Sequence, residues 1–143
     1  LPDKKDVSMV KIFYTFNQRM TMNKQFLKDG LVWGFLLWLI GYILGIVFFM
    51  MVPPHLIGFV ILPIGTAITL WVLIKKVKST QINYYFWLAV IWTIMAVVFD
   101  YLFIVKAFKS EGYYKPDVYL YYLLTFALPL VVSWRKSSTT KSN

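Results

Sequence analysis

One aspartate, one histidine and a run of tyrosines are the residues in this chain whose types and spacing suit chemistry. Asp100 lies in the apolar stretch YYFWLAVIWTIMAVVFDYLFI, residues 84–104. A carboxyl inside such a stretch is costly to bury and faces protein or water rather than lipid. It can do one of two jobs there. It holds a proton or cation, or it accepts hydrogen bonds that fasten one helix to another. Tyr119, Tyr121 and Tyr122 open the next apolar stretch at a matching depth, so a phenol among them is placed to donate to the carboxylate. His55 is the single histidine and follows Pro53-Pro54 on the same side. The expectation is an outward-facing polar cluster of Asp100, His55 and these tyrosines. Each member also has a plainer use, because boundary tyrosines form an aromatic belt and a histidine after two prolines is an ordinary loop residue.

Other chemistry is excluded by what the chain lacks. It has no cysteine, which removes disulfides, thiolate nucleophiles and cysteine-held zinc. With one histidine there is no multi-histidine metal site. No serine sits beside His55 and Asp100 in an outer half-span to complete a triad. Neither enzymatic activity nor a cofactor is expected. The net charge of +9 reads as lysines flanking membrane spans, not as a nucleic-acid surface.

Positioning these residues takes membrane-spanning helices. The chain is 59% hydrophobic with a mean hydropathy of +0.65, well above a soluble domain of this size. The excess is gathered into apolar runs long enough to cross a hydrocarbon layer of ~30 Å. The expected fold is therefore an all-α integral membrane bundle of four antiparallel transmembrane helices, built as two helical hairpins. The spans are expected at residues 31–52, 56–74, 84–104 and 118–134. Residues 1–30 form a basic N-terminal segment, and 135–143 a polar tail, disordered beyond its first residues. Met9, Phe13, Phe16 and Met20 recur at helical steps, with Lys11, Arg19, Lys24 and Lys28 as cationic anchors. That pattern fits an interfacial amphipathic helix.

Small residues mark the faces expected to pack. Gly34, Gly41 and Gly45 share one face of the first span, where Gly41-x-x-x-Gly45 admits close backbone approach. Ala89, Thr93, Ala96 and Asp100 step by four, three and four along the third span. Bulky Trp87, Phe99 and Phe103 lie off that stripe. Tyr122, Thr125, Pro129 and Ser133 make a similar stripe in the fourth. Pro63 with Gly65, and Pro129, are expected kinks. Asp117, after Pro116, is the expected cap of the fourth span.

The loops set the orientation. With four spans, twelve Lys and Arg fall on one side and three on the other, so both termini are expected in the cytoplasm of a multi-pass cell-membrane protein. The functional expectation is a small membrane protein acting by helix–helix interaction, as an accessory or assembly subunit or a lipid- or protein-binding module. Its partners would be the bilayer and another membrane protein or a second copy of itself. The alternative is a homo-oligomeric transporter or channel using Asp100 as a proton or cation site.

Overall fold

The computed structural model describes residues 3–109 and 111–141, and their side chains except those of residues 19–22 and 140. Among these residues the chain is helical and contains no strand. An apolar run satisfies its own backbone N–H and C=O groups only as a helix. Helix α1 (Lys4–Leu27) passes through a π-helical turn (Lys28–Trp33) into α2 (Gly34–Phe49). Then come α3 (Pro54–Lys75), α4 (Ile82–Asp100), a second π-helical turn (Tyr101–Lys106) and α5 (Pro116–Lys141). The four expected spans correspond to four helices long and apolar enough to cross a membrane, Lys4–Phe49, Pro54–Lys75, Ile82–Lys106 and Pro116–Thr139.

Several boundaries depart from the sequence expectation. The basic N-terminal segment is not set off from the first span. It runs helically into α2, since no proline or capping group interrupts residues 4–49. Arg19 and Met20 of its expected interfacial face lie outside the described side chains, while Met9, Phe13 and Phe16 are exposed. Pro53 caps α3 and Pro54 occupies its first position, where a missing N–H costs nothing. His55 is thereby in a helical first turn rather than a loop. Asp117 does not cap α5. It is the second helical residue, and the Lys115 carbonyl accepts from the N–H groups of Val118 (3.0 Å) and Tyr119 (3.4 Å). The tail expected to be disordered is helical to Lys141, because Lys136 is anchored to the bundle as described below. Helices α3 and α5 continue through Pro63 and Pro129.

Around the bundle α2 packs on α3 and α4, and α5 packs on α3 and α4, so α2 and α5 take opposite corners. The core lies toward one end. It consists of Val72, Leu73 and Val77 from the end of α3 and just beyond, Tyr84, Tyr85, Leu88 and Trp92 from α4, and Val132 from α5. At the other end the rings of Phe35, Trp38, Tyr42, Phe99 and Phe103 stack and tilt against one another, with centroids 5.0–6.1 Å apart. The small-residue stripe of α4 turns inward: Ala89 and Ala96 are buried, and Thr93 returns its hydroxyl to the Ala89 carbonyl at 2.8 Å. Trp87 and Phe103 point outward.

Along the glycine face of α2 the neighbours within the chain differ from one glycine to the next. At Gly34 an added Cβ would stand 2.8 Å from the Trp92 ring and 3.3 Å from Met95 Sδ, so α4 is seated directly on it. Among the described residues no neighbouring segment comes within 4 Å of a Cβ at Gly41, and at Gly45 Ile61 Cδ1 stands 3.9 Å away. Gly30, one turn before Gly34, meets Ile91 and Leu88 of α4 at ordinary contact distance. The close approach of this face to α4 is thus made at Gly34. Gly41 opens instead onto an internal cavity.

Candidate functional site

Asp100 ends α4, at the edge of the second π-helical turn. It is 3% exposed, and three neutral donors converge on it. Trp38 Nε1 of α2 donates to Oδ1 at 2.8 Å, while Tyr122 Oη of α5 (2.8 Å) and Tyr113 Oη of the intervening loop (3.0 Å) donate to Oδ2. Hydrogen bonds to a charged group contribute about 1.5–3 kcal/mol each. Together they join three separate segments to α4. Tyr113 lies outside the helices, beside Gly112, whose φ of +79° is a conformation glycine adopts freely. Burial first, and then the charge of Asp100, push the Tyr113 phenol well above its ordinary range. It therefore stays a donor.

Of the residues expected around Asp100, Tyr122 is a direct partner. Tyr121 sits beside it in α5 with its ring 5.8 Å from that of Tyr122, and among the described residues it makes no hydrogen bond to the carboxylate. Tyr119 is 60% exposed and stacks loosely on Tyr114. His55 is exposed in the first turn of α3 and shares no hydrogen bond with Asp100. Trp38 and Tyr113 complete the cluster, and neither was anticipated from the sequence. Trp38 lies four residues after Gly34 on the same face, which is the signal that would have placed it against α4.

A second buried acid stands at the opposite end of α4. Asp29, in the first π-helical turn, is 1% exposed. Its carboxylate accepts from the Tyr84 hydroxyl and from Gln25 Nε2 (3.1 Å), and its backbone carbonyl accepts from Trp92 Nε1 at 3.0 Å. A π-helical turn takes carbonyls out of the regular ladder, and the indole supplies one replacement donor. Beginning the first span at Leu31 hides this acid. The pair Gly30 and Gly34, four residues apart, was the available signal that the packed helix starts earlier.

Tyr85, beside Tyr84, reaches the other way. Lys136 Nζ of α5 donates to Tyr85 Oη (2.7 Å) and to the carbonyls of Leu73 (3.0 Å) and Val77 (2.7 Å). A cation at the end of α3 meets carbonyls left without helical partners and the negative end of the helix dipole. Nearby on α5 the fully buried Ser133 hydroxyl has no partner among the described residues.

Between the two ends lies a cavity of about 30 Å³, bordered by Trp38, Gly41, Gly65, Thr69, Tyr121 and Thr125, with Trp92 and Ala96 of α4 closing it. Neither Gly41 nor Gly65 has an atom within 4 Å of where a Cβ would stand, so the space exists because those side chains are missing. A water needs about 10–15 Å³ of such space, so there is room for about two. Among the described residues no group of three or more His, Cys, Asp or Glu comes together to hold a metal ion. No family model matches the chain, and no curated protein or solved structure matches it either.

Proposed function

We propose that this chain is a small four-span membrane protein that works by helix–helix interaction, as an accessory or assembly subunit of a larger membrane protein, and that Asp100 is its fastener. The observation carrying this reading is the convergence of three segments on Asp100. Its carboxyl group is met by Trp38, Tyr113 and Tyr122 from three different segments, which ties the end of α4 to α2, to α5 and to the loop between α4 and α5. The exposed aromatic and aliphatic side chains along α2 and α4, such as Phe35, Ile43, Trp87 and Ile94, provide faces for lipid or a partner helix.

The cavity beside Trp38 supports the second reading, an oligomeric proton or cation transporter. Size weighs against it. The stretch from Tyr84, which holds Asp29, to Asp100 is sixteen helical steps, about 24 Å at ~1.5 Å per residue, and a cavity of about 30 Å³ does not bridge that distance. Purification in mild detergent separates the readings. Co-elution of the chain with a larger membrane protein, with no proton or cation flux in liposomes, is the expected outcome. A stable homo-oligomer whose flux is abolished by Asp100→Asn would replace the accessory reading with the transporter.

A further inference from the structure

The basic end of the bundle carries a feature that helix fastening does not use. Lys76, just past α3, places its Nζ 5.3 Å from the centroid of the Trp71 ring and 6.0 Å from that of Trp33. These two rings come from different segments, α3 and the first π-helical turn, and the Lys76 ammonium lies over both. Trp33 is half-buried and Trp71 is 51% exposed. The buried indoles Trp38 and Trp92 donate to protein oxygens, whereas among the described residues the N–H groups of Trp33 and Trp71 meet no acceptor. Lys75 lies one helical turn after Trp71, on the same face, and Lys75, Lys76 and Lys78 are all exposed. Among the described residues none of these three lysines is paired with an acid. Asp29, four residues before Trp33, is buried and engaged by Tyr84 and Gln25.

Two ammonium groups and two unused indole donors, grouped where an apolar helix surface gives way to charge, match a phosphate anchored by acyl chains. We propose that the surface cluster of Trp33, Trp71, Lys75 and Lys76 binds the phosphate of an anionic phospholipid headgroup. Lys76 supplies the charge and is held in place by the two rings. The indole N–H groups donate to phosphate oxygens, and the acyl chains run along the exposed apolar surface of α2 and α3. This site rests on the membrane reading given above.

The test is native mass spectrometry of the full chain released from nanodiscs of phosphatidylcholine with one-fifth phosphatidylglycerol. The wild type is expected to retain phosphatidylglycerol above its share of the bilayer. Lys76→Gln should lower that retention about fivefold, the change corresponding to the ~1 kcal/mol of one interfacial cation. Trp71→Phe keeps a ring beneath the ammonium but removes an N–H, and should give a smaller loss. Lys106→Gln removes the same charge from the opposite end and should change nothing. Equal losses from Lys76→Gln and Lys106→Gln, or retention in proportion to bilayer content, would overturn the site. Displacement of the lipid by millimolar inorganic phosphate would make it a free-anion site instead. A chain that never enters nanodiscs would overturn the membrane reading first.

Discussion

At the scale of single residues, the three donors to Asp100 are not equivalent. A tyrosine hydroxyl can reverse and accept, but an indole N–H only donates. In Asp100→Asn the amide oxygen can therefore stay on Trp38 while its NH2 turns to Tyr113 and Tyr122, whose hydroxyls rotate to accept. That variant should fold with little loss. Trp38→Phe has no such remedy. It strips Oδ1 of its donor, and leaving a buried acceptor unmet costs about 1–3 kcal/mol, more for a charged group. Thermal melting in detergent should show Trp38→Phe clearly below wild type and Asp100→Asn close to it. The reverse order would mean that the charge itself, not the donor geometry, holds the end of α4. Tyr113 gives a pH dependence. Its folded-state pKa is raised by burial and by Asp100, so its contribution to stability is complete below the unfolded phenol value of ~10. The contribution declines as pH climbs beyond that. Tyr113→Phe should flatten this alkaline decline, and an unchanged decline would remove Tyr113 from the cluster.

At the scale of helices, the decisive contrast is between two glycines on α2. Gly34 lies against the Trp92 ring, which in turn holds the Asp29 carbonyl, so Gly34→Ala must push an anchored side chain and should lower the melting temperature. Gly41→Ala enters open space and gains up to about 1 kcal/mol of helix propensity, so it should be neutral or stabilising. Equal losses for both would show that Gly41 meets a helix outside the chain. The sequence reading had the opposite emphasis, and the reason is physical. Spacing reports that glycines share a face, but not where along that face the neighbouring helix crosses. What was legible followed from periodicity and length: four apolar helices, the inward stripe Ala89–Ala96–Asp100, and a tyrosine of the fourth span on the carboxylate. What was not legible depended on helix rotation and on contacts remote in sequence. Trp38 lies sixty-two residues from Asp100, and Tyr84 fifty-five from Asp29. His55 was grouped with Asp100 because both were placed at one end, yet shared depth does not make a contact when the side chain points outward.

At the scale of the whole molecule, the two ends are held by different means. One has an apolar core braced by Tyr84 on Asp29 and by Lys136 on the last carbonyls of α3. The other has an acid among aromatic rings. The basic end carries most of the flanking lysines, and we propose that it faces the cytoplasm. Single cysteines at Ser79, Gly112 and Ser137 in this cysteine-free chain test that orientation with an impermeant thiol reagent. Labelling from outside is expected at Gly112→Cys alone, and labelling at Ser79→Cys with protection at Gly112→Cys would invert the topology. The composition of the Asp100 cluster also imposes an order in time. A ribosome makes Trp38 before Asp100 but Tyr113 and Tyr122 after it, so when α4 emerges its acid has one donor of three. Until α5 is synthesised, the last turn of α4 holds a carboxyl only partly compensated. Helix α5 therefore completes α4, and a nascent chain stopped before Tyr113 should leave α4 loosely lodged at that end.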